Sequence, residues 1–102
     1  MIKIEGLYNT AFCYTPALED AARAQIQSVC DQKEFAGCKI RIMPDVHAGK
    51  GCTIGTTMTI RDKIVPGMVG VDIGCGMETA RIAETELDAR KAADLILNVM
   101  KL

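Results

Sequence analysis

Two short segments framed by glycines contain the residues of this chain that are best suited to bind a metal or take part in a reaction. They are Pro44-Asp45-Val46-His47-Ala48-Gly49-Lys50-Gly51 and Gly70-Val71-Asp72-Ile73-Gly74-Cys75-Gly76-Met77. Seven of the nine glycines lie in residues 43–77, together with the single histidine. Glycine concentrates where a backbone needs positive φ or must come close to another group. We therefore interpret residues 43–77 as the functional region and as half of a metal site.

Asp72 and Cys75 place a hard carboxylate oxygen and a soft thiolate three residues apart. The carboxylate follows the apolar run 68–71, and burying it there would require a partner. A tight turn brings both donors to one ion or to neighbouring ions, and mixed ligation of this kind suits Mn²⁺, Fe²⁺, Co²⁺ or Zn²⁺ better than Mg²⁺ or Ca²⁺. The alternative is that Asp72 caps a turn and Cys75 is a small buried hydrophobe. Spacing alone leaves both interpretations open.

Asp45 and His47 stand two residues apart, so an extended backbone projects them to the same side. They either bind metal or orient its ligands, although a solitary histidine is more often a hydrogen-bonded structural residue. Lys50, between two glycines, either reaches a phosphate or is simply solvated, because the G-x-x-x-x-G-K-[ST] pattern is missing. Three further cations are dispersed and do not by themselves establish a phosphate-binding surface: Arg41, Arg61 and Lys63.

Apolar alternation predicts the strands that position these segments. It predicts two brief strands or a hairpin within residues 1–15, and a strand over 38–43 that delivers the first segment at its end. The β-branched stretch 53–60 predicts another strand, and 68–71 a short buried one leading into Asp72. Residues 78–82 are a candidate for one more strand.

Two helices are also predicted. The first has Thr15 as N-cap, Pro16 at its first position and its end near Lys33, with an apolar stripe facing the core. The second opens with a capping box over 85–88 and carries an apolar face formed by Leu95, Ile96, Val99 and Met100. The expected fold class is α+β, a small mixed or antiparallel sheet with two helices on one side. Because the last helix has no stop signal, we expect the chain to be part of something longer.

Length and composition bound the possible functions. The chain has 102 residues, 49% hydrophobic and 25% charged, which is typical of a single globular domain. Its 12 basic and 13 acidic residues give no sign of a nucleic-acid partner. Five cysteines without C-x-x-C spacing indicate reduced thiols in a cytoplasmic protein rather than a disulfide framework. No apolar run approaches the ~20 residues of a membrane span, so no membrane partner is expected.

The two segments in this order resemble the N-terminal part of the RtcB family of RNA-splicing ligases. The likeness rests on MPDVHAGKGCTIG followed by IVPGMVGVDIGCGM, includes the helix entry at 16–26, and extends over residues 15–81. It implies that residues 1–102 are the N-terminal fragment of an RtcB-like ligase domain. The complete enzymes of that family join RNA 3′-phosphate or 2′,3′-cyclic phosphate ends to 5′-hydroxyl ends. They use GTP and two Mn²⁺ ions, and a histidine carries the guanylate intermediate.

The resemblance also implies roles for individual residues. Asp72 and Cys75 become Mn²⁺ ligands, with the Cys75 thiolate able to bridge two ions. Asp45 and His47 fall on a catalytic aspartate and its companion histidine. With GTP as the implied cofactor, the phosphate that Lys50 would reach is a GTP phosphate. The family's other metal ligands and its nucleophile are histidines far downstream, so we expect this chain to be inactive without the C-terminal portion.

Two alternatives stay open at this point. The chain is a short non-catalytic relative that binds metal or RNA and works with a partner chain, or it is a globular scaffold whose aspartates cap turns.

Overall fold

The computed structural model describes residues 1–83 and 85–101, which form an α+β fold. The described residues contain two α-helices, α1 (Asp20–Cys30) and α2 (Ala89–Met100), and four strands: β1 (Ile2–Glu5), β2 (Thr10–Cys13), β3 (Ile40–His47) and β4 (Ile54–Met58). The strands lie in the order β1-β2-β3-β4. The β2–β3 pair is parallel and the other two pairs are antiparallel. The predicted class, with a small mixed sheet, is confirmed.

The hydrophobic core lies between α1 and one face of the sheet. Ala22, Ile26 and Cys30 recur every four residues along α1, and all three are buried. They face the inward side chains of the alternating strands, so that the core cluster consists of Ile4, Ala11, Cys13, Ile26, Cys30, Ile40 and Ile42. Burial raises the pKa of the Cys13 and Cys30 thiols, which keeps both neutral in the core.

The start and end of α1 differ from the prediction. The Thr15 hydroxyl accepts from the Ala17 N–H at 3.3 Å and donates to the Ala17 carbonyl at 2.7 Å, which closes a local turn instead of capping the helix. The N-cap is Glu19, and α1 ends at Cys30 rather than near Lys33. Residues 33–35 form a separate 3-10 turn that buries Phe35.

Strand β3 continues beyond its predicted end and includes the first half of the first glycine-framed segment. Its pairing with β4 is irregular between Ile42 and His47, where Pro44 lies. Proline has no N–H to donate to a ladder, which explains why the irregularity falls there. Opposite this bulge, Gly55 has φ of 89°. A Cβ on Gly55 would lie 3.2 Å from the Val46 Cα and 3.4 Å from Asp45 Oδ1.

The strands predicted over 68–71 and 78–82 are wrong. Pro66–Met68 forms a 3-10 turn, and no strand follows it within the part of the chain that is described. Val69, Val71 and Ile73 are exposed. An apolar run becomes a strand only when a neighbouring strand exchanges backbone hydrogen bonds with it. Among the described residues β4 pairs with β3 alone, and no strand pairs with residues 68–71.

Helix α2 begins at Ala89, not in a capping box that starts at Thr85. Its N-cap is Asp88, whose carboxylate accepts from the Arg90 and Lys91 N–H groups at 3.0 and 3.2 Å. Within residues 1–83 and 85–101, α2 packs against no other helix or strand, so the prediction that both helices lie on one side of the sheet is wrong.

The described chain is elongated, and neither of its helices could cross a bilayer. Its radius of gyration is 18.0 Å and its extents are 50 × 28 × 23 Å. A compact chain of this length would have a radius of gyration of about 13 Å. In the described ranges, no helix is both long and apolar enough for a membrane span.

Candidate functional site

The first glycine-framed segment lies against the 3-10 turn that leads into the second segment. A Cβ on Gly51 would lie only 1.9 Å from the Gly67 carbonyl oxygen, so the backbones touch at a position where only glycine fits. The Cys52 thiol donates to the Met68 carbonyl at 3.8 Å, a contact typical of a weak sulfur donor. These contacts hold residues 66–68, and with them the segment leading to Asp72, next to the first segment.

Helix α1 fixes the loop that carries Lys50. The Gln25 side chain makes a reciprocal pair with Gly49, accepting from its N–H at 3.1 Å and donating to its carbonyl at 2.7 Å. The Glu19 carboxylate accepts from the Ala48 N–H at 2.6 Å. The buried Thr53 hydroxyl donates to the Ala22 carbonyl at 3.4 Å. The loop is therefore positioned by side chains of α1, not by its own sequence alone.

Sequence reasoning missed Glu19 and Gln25 as positioning residues. Their partners lie 29 and 24 residues away. The only sequence feature that could have identified them is a long polar side chain beside the apolar stripe of the helix. Most solvent-facing helix residues share this feature, so it does not single out a positioning residue.

The two segments enclose a cleft of about 440 Å³, which we call the motif cleft. It is lined by residues 50–56 and 68–72 and by Cys75. Three of the five predicted site residues therefore share one surface: Lys50, Asp72 and Cys75. Cys52 also lines it, and burial raises the pKa of that thiol.

Asp72 and Cys75 are held together by a turn. The Cys75 N–H donates to the Asp72 carbonyl at 3.2 Å. Both residues are exposed, so the expectation that Asp72 is a buried charge is wrong, and the carboxylate pays no desolvation cost that would demand a partner. The Cys75 sulfur is likewise not packed in hydrocarbon, unlike the thiols of Cys13 and Cys30. Both donors remain accessible to an ion.

Asp45 and His47 are not among the residues that line the motif cleft. The Asp45 carboxylate lies next to β4, because its Oδ1 is close to Gly55, a β4 residue that lines the motif cleft. His47 Nδ1 lies 2.9 Å from the Asp45 carbonyl oxygen. Because a carbonyl only accepts, Nδ1 carries the proton, and in the neutral ring Nε2 keeps its lone pair. His47 is exposed, so that lone pair is available to a ligand or proton.

The donor set can be tested against a divalent metal. Asp72 and Cys75 offer one oxygen and one sulfur on a common cleft, a pair that suits a borderline metal. Across residues 1–83 and 85–101, no three His, Cys, Asp or Glu side chains cluster closely enough to hold an ion. The described part of the chain thus fits a metal with two donors, fewer than the four to six that such ions take.

Comparison with known proteins gives one consistent result. The family model described as tRNA-splicing ligase RtcB matches residues 25–101. RNA-splicing ligase RtcB1 of Escherichia coli strain ATCC 25922 is 51% identical over 85 residues, covering 83% of this chain and 19% of that protein. RNA-splicing ligase RtcB of E. coli strain K12 is 55% identical over 71 residues, covering 70% of this chain and 17% of that protein.

A more distant relative agrees. The tRNA-splicing ligase RtcB of Pyrobaculum aerophilum is 37% identical over 65 residues, covering 60% of this chain and 13% of that protein. No solved structure matches the chain. The chain spans less than a fifth of the length of the curated relatives it matches.

Proposed function

The chain belongs to the RtcB family of RNA-splicing ligases, and we propose that it is the metal-ligand-bearing N-terminal part of such a ligase. The complete protein would join an RNA 3′-phosphate or 2′,3′-cyclic phosphate to a 5′-hydroxyl in the cytoplasm, using GTP and Mn²⁺ through a histidine-guanylate intermediate. The observation that carries the proposal is the motif cleft, which Lys50, Asp72 and Cys75 all line.

In this proposal Asp72 and Cys75 hold Mn²⁺, which when bound would neutralise phosphate charge at the reacting centre. The glycine-framed turn presents both donors to the same opening. Lys50 lies on the same cleft and would contact the GTP phosphates, since an ammonium group is a point donor suited to phosphate oxygens.

Asp45 and His47 take a supporting catalytic role in the proposal. The Asp45 carbonyl fixes the His47 tautomer, which leaves Nε2 free to accept a proton or a hydrogen bond from a reacting group. The nucleophilic histidine would come from the rest of the complete protein, because the single histidine of this chain belongs to the first segment. We therefore expect the 102-residue chain alone to ligate nothing.

The test joins this chain to the part of E. coli K12 RtcB that follows the matched region. The hybrid is incubated with GTP, Mn²⁺ and an RNA pair bearing 3′-phosphate and 5′-hydroxyl ends, and the ligated product is measured on a gel. Asp72→Ala and Cys75→Ala should each lower the ligation rate more than about 100-fold, because removing a residue that only orients a metal ligand already costs about 10- to 100-fold. Asp20→Ala is the control, since Asp20 is exposed and lies outside the motif cleft.

A second readout separates metal binding from chemistry. Mn²⁺ titration of the hybrid, followed by electron paramagnetic resonance of the free ion, should show weaker binding for Asp72→Ala and Cys75→Ala. Full ligation by either variant would overturn the site assignment. An inactive hybrid that still binds Mn²⁺ or RNA through these residues would favour the short non-catalytic relative.

A further inference from the structure

A second cleft lies at the opposite end of the β3–β4 pair from the motif cleft. It has a volume of about 340 Å³ and is lined by seven residues, three of them cations: Ala36, Gly37, Cys38, Lys39, Thr59, Arg61 and Lys63. We call it the cationic cleft. Its lining residues precede β3 and follow β4, whereas the motif cleft lies where β3 ends and β4 begins. A strand of the length of β3 covers roughly 25 Å, which sets the scale of the separation.

Local hydrogen bonds bring the three cations together from distant positions in sequence. The Lys39 N–H donates to the Thr59 hydroxyl at 2.9 Å, and the Thr59 N–H donates to the Lys39 carbonyl at 3.1 Å. After Thr59 the chain turns at Asp62, which has φ of 57°, the left-handed conformation that aspartate tolerates better than most residues. The Lys63 ammonium group donates to the Glu34 carbonyl at the rim.

The cations of the cleft have no acidic partner among the described residues. Within residues 1–83 and 85–101 the one ion pair is Lys3–Glu5, at 2.8 Å. The nearest acidic residues in sequence, Glu34 and Asp62, are not part of the lining. Lys39, Arg61 and Lys63 are all exposed, and an ammonium group with one bond to a carbonyl still has two N–H donors. The cleft is therefore positive and open to an anion.

Positive charge continues from the cleft onto the helix-free face of the sheet. Lys39 and Arg41 flank the buried Ile40, so alternation places both on the face opposite α1. The Arg41 guanidinium lies over the Phe12 ring, 4.7 Å from its centroid. A flat cation stacked on a ring at the side of a basic cleft suits an extended chain of phosphates better than a single small anion.

We propose that the cationic cleft binds the phosphodiester backbone of the RNA strand, at a distance from the ends that react. The identity of the polyanion rests on the proposed function, because an RNA ligase has to hold a strand on both sides of the junction. The cleft would contribute affinity but no sequence preference, since phosphate contacts carry no base information. It requires neither GTP nor metal.

The test uses the 102-residue chain and a fluorescein-labelled single-stranded RNA with hydroxyl groups at both ends, without GTP or Mn²⁺. Binding is followed by fluorescence anisotropy at several salt concentrations. The triple variant Lys39→Ala/Arg61→Ala/Lys63→Ala should bind about tenfold or more weakly, and the slope of log K against log salt should fall by about 2, because each phosphate contact on a single strand contributes about 0.7.

The matched control is Arg90→Ala/Lys91→Ala/Lys101→Ala, which removes the same charge from the α2 region. It should keep most of the affinity and nearly all of the salt slope. All six substituted residues are exposed, so both triple variants should fold, which circular dichroism would check. Equal loss in the two variants, unchanged binding by the first, or no RNA binding by the unsubstituted chain would overturn the proposal.

The two experiments distinguish a failure of the cationic-cleft proposal from a failure of the ligase assignment. If the hybrid ligates RNA but the cleft variant binds RNA normally, the proposed function is supported and the cationic-cleft proposal is contradicted. If the hybrid has no ligase activity but the cleft variant selectively loses RNA binding, the cationic-cleft proposal is supported and the proposed function is contradicted.

Discussion

The cysteines illustrate how residues of one type acquire different chemistry from their surroundings. Cys13 and Cys30 are buried in the core, Cys52 is partly buried and bonded to the Met68 carbonyl, and Cys75 is exposed. Burial raises the pKa of the first three. Since the thiolate binds metals and reacts with electrophiles, Cys75 is the cysteine best placed for either.

These differences in exposure and pKa predict the relative rates at which the thiols are alkylated. With iodoacetamide at pH 7.5, Cys75 should be modified first and Cys52 about tenfold or more slowly, whereas Cys13 and Cys30 should stay unmodified in the folded chain. A raised pKa means a smaller thiolate fraction at a given pH, so the Cys52 rate should climb as the pH increases toward 9. Peptide mass spectrometry measures each site. Urea should abolish the differences, and faster reaction at Cys52 than at Cys75 would contradict the assignment.

At the same scale, the sequence selected five candidate site residues but did not predict which of them would share a surface or how exposed they would be. Lys50, Asp72 and Cys75 line one cleft, whereas Asp45 and His47 do not. The exposure of Asp72 was not predictable from the apolar run before it, because burial depends on a neighbouring element and not on the run itself.

At the scale of elements, the loop after β3 depends on α1. Gln25→Ala removes both hydrogen bonds to Gly49 and should lower the free energy of unfolding by about 1–2 kcal/mol. It should also speed hydrogen exchange of the Gly49 amide, which mass spectrometry of short peptides detects. Ser28→Ala, an exposed position on the same helix, is the control. If Gln25→Ala changed neither quantity, α1 would not be the element that holds the loop.

The contact between Gly51 and Gly67 connects the first glycine-framed segment to the 3-10 turn that precedes the second segment. Gly51→Ala places a methyl group 1.9 Å from the Gly67 carbonyl oxygen, so residues 66–68 must move away. The expected result is faster alkylation of Cys52, because its contact with Met68 opens, and a stability cost of about 1–3 kcal/mol. Gly70→Ala has open space around the added methyl and should leave both quantities unchanged.

Elements that pack locally were predictable, and those that depend on distant neighbours were not. Alternation located β1 to β3 and β-branched composition located β4, because each of these strands has a paired neighbour and a core face. The apolar run 68–71 has no paired strand in the described structure, and its first residue, Met68, belongs to a 3-10 turn. Thr15-Pro16 had the chemistry of a helix start, yet Thr15 closes its own turn. Local hydrogen bonding competed successfully with the helix there.

At the scale of the whole molecule, the structure divides into a packed part and an extended part. The core residues all lie between Ile4 and Ile42, whereas the large apolar residues from Val69 to Met77 and along α2 are mostly exposed. Leu95 is 67% exposed and Val99 68% exposed, while Ile26 is 2% exposed. Cooperative stability should therefore come from the sheet and α1, with little contribution from the apolar face of α2.

Urea unfolding of the 102-residue chain tests this division. Ile26→Ala should lower the free energy of unfolding by about 2–5 kcal/mol, because it leaves a cavity between α1 and the sheet. Leu95→Ala and Val99→Ala should change it by less than about 0.5 kcal/mol, as surface substitutions do. A circular-dichroism transition that shifts as much for Leu95→Ala as for Ile26→Ala would mean that α2 packs onto the core in solution. The α2 face would then be part of the folded unit, and the elongated shape would not describe the chain by itself.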